Sequence, residues 1–319
     1  MASQETVKKR AGTLAVHSID HFSLQVPDLN EARKFYETFG LDVRDAAGGL
    51  ELFTKDHAHR WGIVTKGNPK RLRYLSFGVF DSDMAAFEKH LTSLGRKVIQ
   101  PPAGVETNGI WIEGFDGLPI NLRVAEKCSP DAKSVFDTRS VGPGRAGTVL
   151  NSQAPHVHPR RLSHVAIFTS DVSAAIDFYE KTLGLRLSDR SGPAVAFLHG
   201  AHGSDHHLLA LVMSDHRGLH HVSWDVGSVQ EVGLGWAQMA RAGYHSGWGL
   251  GRHVLGANYF YYVRDPWGSY CEFSADIDYI PADCEWEAGD YGPEDSMFLW
   301  GPMPPQDFIA NLEPKGDAS

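Results

Sequence analysis

Among the 17 histidines of this 319-residue chain, three ligand-type side chains stand out together: His164, His221 and Glu272. His164 and His221 each open an alternating apolar run, and Glu272 closes the run that follows the turn Asp265-Pro266-Trp267-Gly268. Two imidazoles and one carboxylate on a single divalent cation leave up to three coordination positions open. Non-haem iron(II) oxygenases use that donor set, because substrate and dioxygen can then bind the same ion. A single histidine out of 17 is more often exposed or packed in a core than bound to metal, so the case rests on a second observation.

That observation is an internal repeat. Ile19-Asp20-His21-Phe22-Ser23-Leu24, followed by Asp28, Phe35-Tyr36 and Gly40-Leu41, recurs as Leu162-Ser163-His164-Val165-Ala166-Ile167, then Asp171, Phe178-Tyr179 and Gly184-Leu185. Tyr74-Leu75-Ser76-Phe77 parallels His221-Val222-Ser223-Trp224, and Asn121 after Asp116-Gly117 parallels Glu272. At the three equivalent positions the first copy carries His21, Tyr74 and Asn121. The second copy keeps three ligand-type residues where the first keeps one, so the metal site is expected in the second half only.

The elements that must position these residues follow from periodicity. His21 to Val26 alternates as a half-buried strand does. Ala32, Phe35, Tyr36 and Phe39 mark one helical face within residues 30–39, with Gly40 suited to a C-terminal cap. Tyr74 starts a second strand, a helix is expected over about residues 82–94, and strands follow near Ile110 and Ile120. Each half thus reads as two βαβββ modules. The expected fold is α+β, with four such modules paired into two similar barrel-like domains at 16–127 and 160–280. Residues 1–15 read as an N-terminal tail. Residues 128–159, rich in Gly, Pro, Ser and Arg, read as a linker, and 281–319 as a C-terminal tail. That tail carries Trp286, Tyr291, Phe298 and Trp300, and disordered tails are poor in aromatics. It is therefore expected to dock as a lid over the pocket mouth.

Composition narrows the class. A formal charge of −9 argues against nucleic-acid and anionic-membrane partners. No apolar run reaches the roughly 20 residues of a membrane helix, and no signal peptide precedes the first strand. Three scattered cysteines, Cys128, Cys271 and Cys284, suit a reducing, cytoplasmic setting.

Over roughly residues 16–280 the chain resembles the type I extradiol catechol dioxygenases of the vicinal oxygen chelate superfamily. The resemblance is carried by the repeat and by the stretch Gly251-Arg252-His253 through Asn258-Tyr259-Phe260-Tyr261-Tyr262 to Asp265-Pro266-Trp267-Gly268 and Glu272. The spacings His207 to His221, His253 to Glu272 and Tyr262 to Glu272 agree with members of that family. It implies extradiol ring cleavage of an aromatic diol by dioxygen at ferrous iron held by His164, His221 and Glu272; manganese(II) ligates alike. It implies His207 as the acid–base residue, Tyr262 and His253 as hydrogen-bonding groups over the bound diol, and a homo-oligomer. In the pair His206-His207, strand alternation lets only one point inward, and His220 is expected beside His221, either behind it or facing out.

Family members that act on a carboxylate-bearing catechol place an arginine five residues before the histidine matching His253; here that position is Trp248. Residues 279–319 contain no arginine. An uncharged catechol with an apolar substituent is expected, contacted by Phe197, Trp248, Leu250 and Asn258, with Arg252 as the remaining nearby cation. The run Gly247-Trp248-Gly249-Leu250-Gly251 lacks a strand-then-helix context for a nucleotide and is expected as a loop closing over the substrate. Competing readings are a glyoxalase-like metal isomerase and a metal-free binding protein for drug-like molecules.

Overall fold

The computed structural model describes residues 9–138 and 140–316; of the expected N-terminal tail, residues 1–8 lie outside the described residues. In the first half, β1 (Ser18–Val26), α1 (Leu29–Phe39), β2 (Asp42–Ala46), β3 (Gly49–Phe53) and β4 (Arg60–Lys66) form one module. β5 (Arg71–Val79), α2 (Met84–Ser93), β6 (Ile110–Glu113) and β7 (Pro119–Val124) form the next. The second half repeats the plan with β8 (Arg161–Thr169), α3 (Val172–Leu183), β9 (Arg186–Ser191), β10 (Val195–His199), the short β11 (Ser204–Asp205) and β12 (Leu209–Met213). Its last module is β13 (Gly218–Asp225), α4 (Val229–Arg241), β14 (Gly247–Arg252), β15 (Tyr259–Arg264) and β16 (Tyr270–Ala275). Two more short strands follow, β17 (Tyr279–Ile280) and β18 (Gly289–Asp290).

The sheets run β2-β3-β4-β1-β5-β7-β6 and β14-β15-β16-β13-β8-β12-β10-β9-β18. In each, the first strands of two modules pair antiparallel at the centre, β1 with β5 and β8 with β13. The second module departs from the expected three strands after its helix: the first is reduced to a single bridge between Val98 and Ile112. Pro101 and Pro102 follow at once, and proline cannot donate to a ladder. No helix among the described residues is long and apolar enough to cross a membrane.

Local chemistry places the helices. Asp28 caps α1 by accepting from the N–H groups of Asn30 and Glu31, and Asp171 caps α3 through Ala174. Gly40 and Gly184 end these helices at φ 105° and 71°. A Cβ at Gly40 would meet the carbonyl of Val157, and one at Gly184 that of Leu14. The chain entering each half therefore passes closely over the helix of the other. This explains why residues 10–16 are not a loose tail: Val16 N–H donates to Leu183 O at 2.9 Å and Arg10 N–H to His202 Nδ1 at 3.1 Å. Phe39 stacks on Phe273 with centroids 3.8 Å apart, so one continuous apolar core spans both halves.

Three buried histidines away from the centre, His17, His199 and His202, carry a pH signature. Burial, the largest cause in each case, lowers their pKa to about 4, 3 and 4. The folded state thus refuses protons that the unfolded chain accepts below pH 6.5, so stability is full above 6.5 and falls as the pH drops from there toward 4. Urea titrations of the metal-free protein should show at least three protons taken up on unfolding in that window, roughly 4 kcal/mol per pH unit or more, since the lowered imidazoles at the centre add to these three. A flat stability profile between pH 6.5 and 4 would contradict this.

Candidate metal centre

Register brings the three donors together. His164 on β8 and Glu272 on β16 both lie opposite Ser223 of the intervening β13, and His221 is two residues from Ser223 on the same face. His164 Nε2 stands 3.2 Å from His221 Nε2 and 3.3 Å from Glu272 Oε2, which is 3.8 Å from His221 Nε2. Donors about 2.1 Å from a shared ion and at right angles to it stand about 3 Å apart. Among the described residues this is the group of His, Cys, Asp and Glu that could hold a metal ion, and all three members are buried.

The donor set fits a cation on a further ground. Glu272 Oε2 is buried without a hydrogen-bond partner, as is Ser223 Oγ on the same row. A carboxylate oxygen buried in that state is costly unless a cation meets it. The first half supplies an internal control: His21, Ser76 and Asn121 occupy the equivalent row, with Tyr74 two residues along. There the polar atoms satisfy one another. Tyr74 OH lies 3.1 Å from His21 Nε2, Ser76 Oγ donates to Asn121 Oδ1 at 2.9 Å, and Asn121 Nδ2 donates to Asn108 O at 2.9 Å.

Each donor histidine follows a β-bulge. The pairing of β13 with β8 shifts between Leu219 and His221, and between Ser223 and Trp224, so His220 and Ser163 are the extra residues. A bulge breaks alternation, which turns the preceding side chain toward the same side. His220 Nδ1 thus lies 2.6 Å from His221 Nδ1, and His220 lines the cavity rather than facing out. Burial lowers the pKa of His220 to about 4 and, with His220 and His164 as neighbours, holds that of His221 well below the ordinary imidazole value. Burial raises the pKa of Glu272, but His164, His253 and Ser223 together bring it below the ordinary carboxylate value.

A cavity of about 480 Å³ opens at the centre. His207, His253, Tyr262, Phe197, Trp248 and Asn258 line it, together with His164 and His221. His253 Nε2 lies 3.0 Å from Tyr262 OH, and Trp248 stacks parallel to the Tyr262 ring. Asn258 lines the cavity, yet its amide donates to Glu272 Oε1 at 3.1 Å and Ser274 Oγ at 2.9 Å, so it holds the carboxylate. Two expected contacts are corrected. Leu250 and Arg252 do not line the cavity: the pairing of β14 with β15 shifts between Gly249 and Gly251. Leu250 packs against the main core, and Arg252 donates to Ala257 O and Tyr259 OH. The Gly247–Gly251 run is likewise a paired strand, β14, rather than a closing loop.

Some members of the site were not read from the sequence. His206 Nε2 lies 2.7 Å from Asp189 Oδ2, and His206 Nδ1 lies 3.0 Å from His207 Nδ1, a chain of partners behind His207. The apolar wall of Ala194, Val195, Val212, Met213 and Ile309 comes from strand faces and tail positions with no local signature. Burial and the neighbouring His164 and His206 hold the His207 pKa well below its ordinary value. Burial and Glu272 push that of Tyr262 well above its own.

The sequence model of the Glyoxalase/Bleomycin resistance protein/Dioxygenase superfamily matches residues 18–122 and 161–273, and the chain belongs to that superfamily. The chain is 50% identical over 299 residues to Metapyrocatechase 2 of Cupriavidus necator, covering 94% of this chain and 93% of that protein. Within the superfamily it therefore falls among the extradiol ring-cleaving dioxygenases. Solved structures agree in fold. An extradiol ring-cleaving dioxygenase from B. fuscum superposes with a TM-score of 0.74 at 19% identity, covering 97% of this chain and 85% of that one. A Mn(II)-bound glyoxalase from Novosphingobium aromaticivorans gives 0.73 at 22% identity, covering 94% and 95%. At such identity the likeness is one of fold alone, and it is shared by a dioxygenase and a glyoxalase.

Proposed function

We propose that this protein cleaves the ring of an uncharged, apolar-substituted catechol beside its two hydroxyls, with ferrous iron held by His164, His221 and Glu272. The observation that carries the substrate class is the lining of the cavity: among the described residues no Lys, Arg, Asp or Glu side chain is part of it, and Arg252 is turned away. A substrate carboxylate buried there would meet no lysine or arginine, the iron being taken up by the diol itself. The wall of Ala194, Val195, Val212 and Met213 suits an alkyl or aryl substituent.

His164, His221 and Glu272 would hold the iron, which would supply Lewis acidity toward the diol and a redox-active centre for its reaction with dioxygen. The chain's own groups then act on protons. The Asp189 carboxylate accepts from His206 Nε2–H, which leaves His206 Nδ1 to accept from His207 Nδ1–H. His207 Nε2 is left bare, a base able to take a diol proton and return it to product. Met297 O fixes the proton of His253 on Nδ1 at 2.6 Å, so His253 Nε2 accepts from Tyr262 O–H. The Tyr262 oxygen then remains to accept a hydrogen bond from the diol, and Phe197 and Trp248 supply apolar lining beside it.

Protein loaded with ferrous ion without oxygen, then given 3-methylcatechol in air, should produce a yellow ring-opened product. A catechol bearing a carboxymethyl group should show kcat/KM lower by about a hundredfold or more, from the cost of an unpaired buried charge. Equal rates for the two would overturn the substrate class; no colour from either, with iron bound, would overturn the activity.

A further inference from the structure

The C-terminal segment crosses from one edge of the second sheet to the other. β18 pairs with β9 at one edge, and at the opposite edge Arg252 of β14 and Trp300 exchange a bridge. Trp248 Nε1–H donates to Pro302 O at 2.7 Å. Beyond this point Phe308 is buried among Trp248, Tyr262, Tyr270 and His220, although the residues on either side of it are exposed. The segment then returns to the bulge that carries His220. Glu313 is buried, and its carboxylate accepts from Leu219 N–H at 3.0 Å, from Leu72 N–H and from Lys70 Nζ at 2.6 Å. A bulge leaves ladder groups unpaired, and here Glu313 takes the Leu219 N–H beside the bulged residue.

The direction of the hydrogen bonds through His220 is determined by chemistry. Phe308 O can only accept, so the 3.0 Å contact from His220 Nε2 places the proton of His220 on Nε2. His220 Nδ1 of the neutral ring is then a lone pair, and at 2.6 Å it accepts from His221 Nδ1–H. His221 therefore keeps its proton on Nδ1 and presents a bare Nε2, the atom that faces His164 Nε2 and Glu272 Oε2. An outer partner that orients a ligating imidazole in this way also raises its basicity.

We propose that the C-terminal strap is a positioning part of the metal centre: the Phe308 carbonyl, acting through His220, holds His221 in the tautomer that binds the metal. This rests on the reading of His221 as a ligand. The test is loss of ferrous ion from the anaerobic holoenzyme to a coloured iron(II) chelator, followed as a rate with no substrate present. His220→Phe fills the same aromatic niche without either nitrogen and should release iron about 10–100-fold faster. His220→Asn, whose amide oxygen can replace Nδ1 as acceptor, should stay within a few-fold of wild type. Phe308→Ala, which frees the carbonyl from its anchor, should follow His220→Phe. Asp307→Ala alters an exposed side chain of the same strap, paired with Arg264 and outside the cavity lining, and should leave iron loss unchanged. In zinc-loaded protein the nitrogen-15 shifts of His221 should report a proton on Nδ1, and that signature should be lost in His220→Phe.

Wild-type iron retention in His220→Phe would overturn the proposal. Rapid loss in His220→Phe with wild-type retention in Phe308→Ala would remove the strap from it. Wild-type retention in His221→Ala would instead sink the metal reading beneath it, so the two failures are told apart.

Discussion

Alanine at His164, His221 or Glu272 is expected to abolish metal binding and ring cleavage together, whereas alanine at His21 leaves both intact. Each of the three donors faces the other two across 3.2 to 3.8 Å. Loss of one removes a coordination bond, so affinity should fall by more than the 10–100-fold that an outer partner costs. Glu272→Ala is the most damaging, because its carboxylate neutralises half of the ion's charge. His21 occupies the homologous strand position in a row whose polar atoms are already paired with Tyr74 and Asp20. His21→Ala should cost about 1–3 kcal/mol of stability by leaving those partners unsatisfied, with no change in bound iron. Metal analysis of the purified variants beside their melting temperatures checks both halves of the prediction. Equal metal loss from His21→Ala and His164→Ala would mean that the centre is not confined to the second sheet.

Replacing His207 with phenylalanine is expected to lower kcat by about 10²–10⁴ while iron stays bound and KM changes little. His207 packs against His164 at a centroid distance of 4.0 Å and lines the cavity, but it is not one of the three donors. Its role is proton transfer, and phenylalanine keeps the ring volume without the nitrogens. The direction of its pKa shift gives a second readout. Because burial holds it neutral well below the ordinary imidazole value, the base form persists as pH falls, and the acid limb of kcat/KM should lie below pH 6.5. Asp189→Ala removes the acceptor that orders His206 and should cost less than His207→Phe. A His207→Phe enzyme with full kcat would remove this residue from the chemistry.

Much of this arrangement was legible in the chain. The duplication, the choice of the second copy and the three donors follow from residue types at repeated positions, because gene-duplicated modules keep strand register while side chains diverge. The helices over 29–39 and 172–183 are readable for a similar reason: Asp caps, apolar spacing and terminal glycines are local signals. His220 was harder to place, because a bulge breaks the two-residue alternation on which strand faces are read, and bulges are settled by pairing across strands. Leu250 and Arg252 lie elsewhere than expected because residues 247–252 form the paired strand β14 rather than a closing loop, and its pairing shifts after Gly249.

Sequence alone therefore determined the module plan and singled out the three candidate donors, since both are carried by local pattern and its repetition. Tertiary structure decided which atoms face which. Only pairing across β8, β13 and β16 brings Glu272 Oε2 against His164 and His221 with no hydrogen bond to satisfy it, and only the docked C-terminal segment puts Phe308 O against His220 and Met297 O against His253. Those contacts join residues about 40 to 90 positions apart. No local pattern encodes them, because they arise when a long segment settles by burying Phe308, with Phe298 partly covered, against the side chains of the sheet.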